Sequence, residues 1–392
     1  MSPTPPLRVG IIGAGGFARF VAEAIATLPE LRLAAVADRH PERAAAVAPP
    51  GAHTHTSFDE LLADEDVEAV VIATKPCDHA ALTVQALQAG KHVFCEKPAG
   101  LSPQEMAQVA EALRTSSRGY VIDHVVHHNP LVQLLHRLHQ AGVLDAPQRF
   151  VFDNDAGDSG LGPDHWFWDR EVSGGILLEH GVHFFDVARL LVDSPEVEAS
   201  SLAHARPDGQ VDNVVATVRH ANGALATHWH GFSHADASER QRMRIDYGLA
   251  EARLEGWIPL TLELDAWLNP DQLATLETSL APDGFLAVPG FRPGSSQRVE
   301  LERVGVPKDL RTHDREHPGL QRVLLHAQLG GPGDKQEVYR ESVRAALTDL
   351  VVAARGGQPE AGLAQAAAAV EVAHAATRGQ DGSLRPVVTL RG

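Results

Sequence analysis

Over the first 126 residues of the chain, short apolar runs alternate with segments in which hydrophobic residues recur at helical spacing. Short apolar runs at Leu7–Ile12 and Leu31–Ala37 predict buried strands, and the apolar residues from Phe17 to Leu28 recur at the three- and four-residue spacing of one helix face. The alternation continues with predicted strands at residues 67–73, 91–95 and 120–126 and predicted helices at 79–89 and 103–113. Strands that alternate with helices imply βαβ units. The pattern therefore predicts an α/β domain with a parallel sheet covered by helices on both faces.

From about residue 129 onward the order of the elements changes. A predicted helix at 131–138 leads into a loop rich in Gly and Asp at 154–163 and a second helix at 175–191. The later segments are strands at 211–218, 224–230, 242–247 and 260–264, a Pro/Gly-rich loop at 281–297, helices at 336–354 and 363–376, and a strand at 385–390. Successive strands predict an α+β domain with a largely antiparallel sheet. We expect two domains, residues 1–128 and residues 129–392.

The composition excludes several classes of protein. The formal net charge is −17 and no cluster of Lys and Arg occurs, so we expect no nucleic-acid partner. No apolar run approaches the ~20 residues of a membrane span, and the first six residues hold no apolar signal core. The two cysteines provide no disulfide framework. We therefore expect a globular cytoplasmic protein that does not bind a membrane.

A glycine-rich turn follows the first predicted strand. It has the spacing Gly13-x-Gly15-x-x-Ala18, a helix follows it, and Asp38 closes the second strand, which is the context of a dinucleotide-binding fingerprint. Gly13 permits a tight turn, Gly15 lets the backbone approach a pyrophosphate, and Ala18 keeps the helix close to the strand. The alternative is a glycine turn in another doubly wound fold. The fingerprint predicts a Rossmann dinucleotide-binding domain.

The choice of dinucleotide depends on the end of the second strand. Asp38 would accept hydrogen bonds from the ribose hydroxyls and would repel a 2′-phosphate. Arg39, His40 and Arg43 follow it and could instead bind that phosphate. We predict NAD as the cofactor, with NADP as the alternative.

Three further motifs resemble those of the Gfo/Idh/MocA oxidoreductase family. They are Val71-Ile72-Ala73-Thr74 followed by His79, the segment from Ala89 to Pro98 with its Glu-Lys-Pro motif, and the segment from Ser173 to Asp186. With the fingerprint, the resemblance covers residues 7 to about 190 in order. The rest of the chain is similar to the family only in pattern, as a sheet-rich second domain.

The resemblance implies roles for individual residues. Lys97 and His183 would be catalytic, and Glu179 stands where the family usually has Asp. The fingerprint and the resemblance together give the expected cofactor contacts, which are Gly13, Ala14, Gly15, Gly16, Phe17, Asp38, Arg39, Thr74, His79 and Glu96. The family's Arg-bearing segment after the sixth strand is replaced by the sequence from Asp123 to Pro130, so substrate contacts from that segment do not carry over.

These residue types suit the oxidation of a carbinol. The nicotinamide accepts the hydride, the His183 imidazole can take the hydroxyl proton, and the Lys97 ammonium can stabilise the developing alkoxide. Glu179 lies four residues before His183, where it could orient the imidazole or hold a substrate hydroxyl. Glu179, His180 and His183 could instead bind a metal. We expect no required metal, because no second cluster completes such a site.

Several other residues are candidates for the substrate pocket or its wall. The segment from His165 to Arg170 precedes the second signature, and its aromatic rings could stack on a sugar, although a hydrophobic cluster under a loop fits equally well. The expected substrate contacts are Trp166, Trp168, Arg170 and His180. The remaining histidines of the middle region, His124, His127, His128, His228 and His230, are interpreted as polar surface or pocket wall.

Together these features predict an NAD(P)-dependent dehydrogenase of a small-molecule sugar, sugar acid or polyol. A glycoside hydrolase that retains NAD and oxidises its substrate transiently is one alternative, and a non-catalytic cofactor-binding sensor is another. A second domain with one sheet and few helices leaves a sheet face to cover. Both this and the resemblance predict a homodimer or homotetramer.

Overall fold

The computed structural model describes residues 5–280, 287–292, 297–305, 311–312, 315–316, 319–380 and 382–387. The predicted loop at 281–297 lies largely outside the described residues, and so does the end of the predicted strand at 385–390, of which the structure describes Arg385–Pro386 as paired.

The N-terminal part of the chain forms a six-stranded parallel sheet. Its strands are β1 Leu7–Ile12, β2 Leu31–Ala37, β3 His53–His55, β4 Ala69–Ile72, β5 His92–Cys95 and β6 Tyr120–Ile122. The intervening helices are α1 Gly16–Ile25, α2 Pro41–Val47, α3 Phe58–Ala63, α4 Pro76–Gln88 and α5 Pro103–Thr115. The spatial order is β3-β2-β1-β4-β5-β6, so the order reverses between β1 and β4 and opens a crevice at their carboxyl ends. The predicted α/β Rossmann domain is confirmed.

The last predicted strand of this domain ends earlier than expected. The apolar run at residues 120–126 forms a strand only as far as Ile122, and a 3₁₀ turn, Val125–His128, contains its second half. Val125 and Val126 are buried in that turn. Their hydrophobicity therefore reflects packing of a turn and not the continuation of the strand.

The C-terminal part forms a ten-stranded sheet. Its strands are β7 Arg149–Asp155, β8 Glu196–Ala205, β9 Val211–His220, β10 Leu225–Gly231, β11 Arg240–Asp246, β12 Ala250–Glu255, β13 Thr261–Leu268, β14 Gln297–Val304, β17 Gln321–Leu329 and β18 Arg385–Pro386, while β15 Arg311–Thr312 pairs with β16 Arg315–Glu316 in a separate ribbon. Every pair in the large sheet is antiparallel except β7 with β10. The predicted α+β domain with a largely antiparallel sheet is confirmed.

Helices accompany this sheet and also return to the first one. They are α6 Pro130–Gln140, α7 Arg170–Ser173, α8 Val182–Val192, α9 Pro270–Ser279, α10 Lys335–Ala354 and α11 Leu363–Arg378. The amide of Ile122 in β6 donates to the carbonyl of Ala361 at 3.0 Å, and the side chain of Arg344 in α10 bonds Thr27 after α1. The last two long helices therefore pack against the N-terminal sheet, across the predicted division at residues 128 and 129.

The two faces of the large sheet differ in character. Side chains that point toward the helices are apolar and buried, as on β13, where Leu262, Leu264 and Ala266 alternate with outward-facing polar residues. The opposite face carries ion pairs such as Arg322 with Asp265 at 2.7 Å. None of the helices in the described part of the chain has the length and apolar character needed to cross a bilayer.

Candidate active site

The turn between β1 and α1 forms the floor of a groove at the carboxyl edge of the parallel sheet. Gly13 has φ +86°, and a Cβ there would lie 2.4 Å from the carbonyl oxygen of Ala73, so the turn requires glycine. A Cβ at Gly15 would meet no described atom within 4 Å. Gly15 caps α1 without a side-chain hydrogen bond. The first N–H groups of α1 can therefore bind an anion such as a pyrophosphate.

Asp38 lies at the end of β2, beside this turn. One carboxylate oxygen accepts from the amide of Ala14 at 2.8 Å and the other accepts from the amide of His40 at 2.9 Å. Burial alone would raise the pKa of Asp38, but these two N–H donors and the nearby Arg43 lower it below its usual range. Asp38 is therefore an ionised acceptor with its position fixed by the backbone.

The groove encloses about 630 Å³ and suits a dinucleotide. Six of the predicted cofactor contacts line it, which are Gly13, Ala14, Gly15, Asp38, Arg39 and Thr74. The hydroxyl oxygen of Thr74 is buried and has no hydrogen-bond partner among the described residues. An open glycine turn and an uncapped helix thus face the same space.

Phe17 and His79, two other predicted cofactor contacts, are not among the residues that line the groove, and one wall of the groove was not predicted. Phe17 packs on Phe20 within α1, with ring centroids 6.5 Å apart. His79 is buried, and its Nδ1 lies 2.7 Å from the carbonyl oxygen of Pro98, so it joins two loops behind the groove. Sequence reasoning missed the wall formed by Thr56, Ser57 and Phe58. That wall follows β3, a strand of three residues that is too short to show a period.

Lys97 lies directly after β5 and forms an ion pair with Glu179. Its Nζ donates to a carboxylate oxygen of Glu179 at 2.5 Å and to the backbone carbonyl of the same residue at 2.8 Å. The side chains are 16% and 12% exposed, so the pair is largely shielded from water. Burial lowers the pKa of Lys97, but the charges of Glu179 and Glu96 raise it by more than burial lowers it. The pKa of Lys97 therefore lies above its usual value. Lys97 is therefore an ammonium at neutral pH.

Two further carboxyl groups surround this ammonium. Glu96 accepts from the backbone amide of Lys97 at 2.6 Å, and Asp123 follows β6. Burial raises the pKa of Glu96 to about 7, against the opposing charge of Lys97. Burial, together with the charge of Glu96, also raises the pKa of Asp123. Both carboxyls are therefore protonated more easily than free carboxyl groups. Asp123 was not singled out from the sequence as a site residue.

The backbone around Glu179 explains why it contacts Lys97. The predicted helix at 175–191 begins as a π-helical segment, Leu177–Gly181, and becomes α-helical at Val182. A π-turn widens the helix and shifts the side chains out of the i, i+4 register. Glu179 is consequently paired with Lys97, and the Nδ1 of His183 has no hydrogen-bond partner among the described residues. We expected that Glu179 could orient the His183 ring, but the structure pairs Glu179 with Lys97 instead.

His183 lies in the first turn of α8 and is 7% exposed. Burial, and then the positive charge of Lys97, lower its pKa well below the usual value. Its ring centroid lies 6.0 Å from that of Trp257 and 6.2 Å from that of His124. His183 is therefore a neutral imidazole at pH 7, which can accept a proton.

A buried carboxylate supports this helix from behind. Asp186 contacts the Nδ1 of His127 at 2.8 Å and the Nδ1 of His124 at 3.1 Å. Burial would raise the pKa of Asp186, but the two imidazoles lower it below its usual range, and Asp186 in turn raises the pKa of His127 despite burial. His124 and His127 are both buried partners of Asp186, so they do not lie on the polar surface, the first of the two interpretations given for them.

His180 lies between the ion pair and the core of the second domain. Its Nδ1 is 3.0 Å from the Nδ1 of His230, a residue of β10. Burial, and then the charge of Lys97, lower the pKa of His180 to about 3. His228 and His230 are fully buried among aromatic rings and are not on the surface. With Glu179 bound to Lys97 and His180 bound to His230, the suggested metal face of Glu179, His180 and His183 is occupied by other contacts.

The aromatic segment before the second signature occupies three different environments. Trp166 lines the dinucleotide groove. Trp168 packs against Phe167 at 4.7 Å between ring centroids, and its indole N–H donates to the carbonyl of Leu161 at 3.0 Å, as in a hydrophobic cluster under a loop. Arg170 is exposed. Of the four expected substrate contacts, only His180 lies near Lys97.

Comparison with known proteins agrees with this geometry. Residues 7–124 match the Gfo/Idh/MocA oxidoreductase family with an NAD-binding Rossmann fold, and residues 132–248 match the family's C-terminal domain. An inositol 2-dehydrogenase of Paenarthrobacter aurescens is 30% identical over 57% of this chain and 68% of its own length. An NADP-dependent D-xylose 1-dehydrogenase of Haloferax volcanii is 27% identical over 76% of this chain and 87% of its own length.

Solved structures show the same fold over nearly the whole chain. A levoglucosan dehydrogenase in complex with NADH and L-sorbose superposes with a TM-score of 0.75 and 18% identity, covering 99% of this chain and all of that one. The predicted family resemblance and the predicted NAD-binding domain are thus confirmed. The chain belongs to the Gfo/Idh/MocA oxidoreductase family.

Proposed function

We propose that the protein is an NAD(P)-dependent dehydrogenase that oxidises a CH–OH group of a sugar, a sugar acid or a polyol. The observation that carries the proposal is the shielded ion pair of Lys97 with Glu179 beside a neutral, buried His183. An ammonium and a neutral imidazole side by side are the two groups that removal of a hydroxyl proton requires. The relatives named for inositol and xylose act on substrates of this class.

The dinucleotide would be held by the groove described above. The N-terminus of α1 and Gly15 would bind the pyrophosphate, and Asp38 would bind the adenosine ribose. Thr74 and Trp166 line the same groove and would contact the cofactor there. When bound, the nicotinamide supplies the hydride acceptor. We infer a preference for NAD, because Asp38 is ionised and fixed.

The protein's own groups would move the proton. His183 has its Nδ1 buried, so its Nε2 would take the hydroxyl proton of the substrate. The Nζ of Lys97 would donate a hydrogen bond to the developing alkoxide. Glu179 would keep Lys97 charged and aimed at that oxygen, since it holds the ammonium by both its carboxylate and its carbonyl. His180 is the residue best placed for a further substrate contact.

A screen of sugars, sugar acids and polyols with both cofactors tests the proposal. The purified protein and its Lys97→Ala variant would each be incubated with one substrate and excess NAD or NADP, while cofactor reduction and product formation are measured. We expect stoichiometric cofactor reduction with at least one polyol or sugar, and its loss in the variant. Cleavage of a glycoside without net cofactor reduction, or cofactor binding with no turnover of any substrate, would contradict a dehydrogenase.

We also place the protein in the reducing cytoplasm. Both cysteines are free, and Cys77 is exposed. An exposed free thiol is typical of a reducing compartment. Fractionation of the native host with immunodetection of the protein checks this placement.

A further inference from the structure

An edge of the parallel sheet carries two histidines and an aspartate that converge on one point. His53 and His55 lie two residues apart on β3, and Asp64 follows the end of α3. The Nδ1 of His53 lies 2.7 Å and the Nε2 of His55 lies 3.0 Å from the same carboxylate oxygen of Asp64. In the described part of the chain, this is the group of three His or acidic residues whose candidate ligand atoms come within 4.8 Å of one another.

The two nitrogen–oxygen distances are close to the spacing of ligands in a tetrahedral metal site. Imidazole nitrogen and carboxylate oxygen bind Zn²⁺ at about 2.0–2.2 Å, so neighbouring ligand atoms lie about 3.3 Å apart. The two nitrogen–oxygen distances would have to open by only a few tenths of an ångström to admit the ion. His53 is 51% exposed and His55 20%, which leaves an entry path and room for a water as fourth ligand.

The surroundings of Asp64 fix its carboxylate and backbone in advance. The second carboxylate oxygen accepts from the amide of Asp66 at 2.9 Å, and the carbonyl of Asp64 accepts from the Nζ of Lys91 at 3.0 Å. The Asp64 side chain is 8% exposed, although it carries a charge. Hydrogen bonds that orient a ligating carboxylate are characteristic of metal sites.

We propose that His53, His55 and Asp64 bind a divalent transition-metal ion, with Zn²⁺ as the expected ion. The ion would join the edge strand β3 to the end of α3. The carbonyl of His55 accepts from the amide of Asp38, at 3.2 Å, and the next residues, Thr56 and Ser57, line the dinucleotide groove. The site is separate from Lys97 and His183, so it does not depend on the proposed function.

Titration of Zn²⁺ into the protein tests the site directly. The full chain, without an affinity tag and after treatment with a chelator, would be titrated calorimetrically, together with His53→Ala and His55→Ala variants. His204 offers a matched control, because its Nδ1 bonds Asp212 at 2.8 Å in a single His–Asp pair. We expect one Zn²⁺ per chain in the wild type and in His204→Ala, and an affinity lower by about tenfold or more in the His53 and His55 variants.

Two further measurements keep the result independent of folding. Zn²⁺ should raise the Tm of the wild type and leave that of His55→Ala unchanged, since a ligand that binds only the folded state stabilises it. Co²⁺ in place of Zn²⁺ should give the intense visible absorption of a four-coordinate site. Equal affinity in the wild type and both site variants, or no saturable binding, would overturn the proposal and leave a hydrogen-bonded cluster.

Discussion

Lys97 carries the positive charge of the proposed site among three carboxyl groups. Glu179 contacts its ammonium directly, while burial raises the pKa values of Glu96 and Asp123. Glu179 is therefore the carboxylate that is directly paired with the charge of Lys97. An ammonium with one strong partner can still donate to a developing alkoxide, because it has three N–H groups and two are used by Glu179.

Replacement of the proposed catalytic groups should lower turnover without loss of cofactor binding. Lys97→Ala and His183→Ala should each reduce kcat by about a hundredfold or more, since general-base and electrostatic contributions are of that order. The double variant should lose little more than either single one, because the groups act as one unit. Steady-state kinetics and cofactor titration by fluorescence measure both effects. A His183→Ala enzyme with near-normal kcat, compared with His136→Ala as control, would refute the assignment.

Glu179 should act through the charge of Lys97 as a positioning residue. Its charge raises the pKa of Lys97, so Glu179→Gln should lower that pKa, and the ammonium should then be lost at lower pH. The alkaline limb of the kcat/KM profile should therefore move to lower pH in Glu179→Gln. Glu179→Asp, which restores the family's usual residue, should restore part of the shift. An unchanged alkaline limb in Glu179→Gln would contradict this role.

At the scale of elements, the end of β2 should set the choice of cofactor. Asp38 is an ionised acceptor, whereas Arg39 and Arg43 line the same groove and can bind a phosphate. Asp38→Ala should weaken binding of both dinucleotides through loss of the bond to Ala14, but NAD more than NADP. The ratio of the two dissociation constants, measured by titration, should shift toward NADP by about tenfold, the equivalent of one good hydrogen bond to a charged group. A constant ratio would show that Asp38 does not select the cofactor.

Asp186 should be a main support of the packing between α8 and the turn after β6. Removal of one partner from a buried ion pair costs about 3–5 kcal/mol, so Asp186→Asn should lower the free energy of unfolding by that order. Because the pKa of Asp186 is lowered in the folded protein, its carboxylate stabilises the fold above about pH 4. Because the pKa of His127 is raised, the stability that its protonated form contributes is lost as the pH rises above about 6.5. The difference from wild type in urea unfolding should hence be larger at pH 6 than at pH 9. Asp145→Asn, at an exposed residue, is the control.

Local sequence pattern predicted the long elements well and the short ones poorly. β1 and β2 form at their predicted residues, because each is a predominantly apolar run that is buried over most of its length. The spacing of hydrophobic residues did not predict β3, because this strand has only three residues and none of them is fully buried. The π-helical segment at Leu177–Gly181 was also missed, since a helix with one widened turn has almost the same pattern of apolar residues as a regular one.

At the scale of the whole molecule, the site depends on contacts that no local pattern contains. Lys97 and Glu179 are 82 residues apart, and their pairing requires that the second domain place the π-helical segment before α8 over the end of β5. The resemblance to a family could name both residues but not their contact. The Asp186 cluster likewise joins the turn after β6 to α8, 59 residues later in the chain.

The open face of the ten-stranded sheet bears on the assembly of the molecule. We expected a face that needs covering, but the central strands present charges there, with Arg244 near Glu251 at 3.7 Å and Arg322 on Asp265 at 2.7 Å. Exposed ion pairs contribute only about 0–1 kcal/mol each, so this face is compatible with water. Alternating Arg and acidic residues are nevertheless self-complementary across a two-fold axis, where each Arg can meet an acidic residue of the second copy.

We therefore predict a homodimer or homotetramer that pairs through this charged face and weakens with salt. Light scattering at micromolar concentration should give a multiple of the 42.0 kDa chain mass, and the mass should fall in about 1 M salt, where the screening length is about 3 Å. Arg244→Glu should shift the mass toward the monomer, because it places like charges opposite each other. Arg114→Glu, at an exposed residue of α5 that is ion-paired with Glu111, should leave the mass unchanged. A 42.0 kDa species in low salt would refute the oligomer, and an oligomer unaffected by Arg244→Glu would place the interface on another surface.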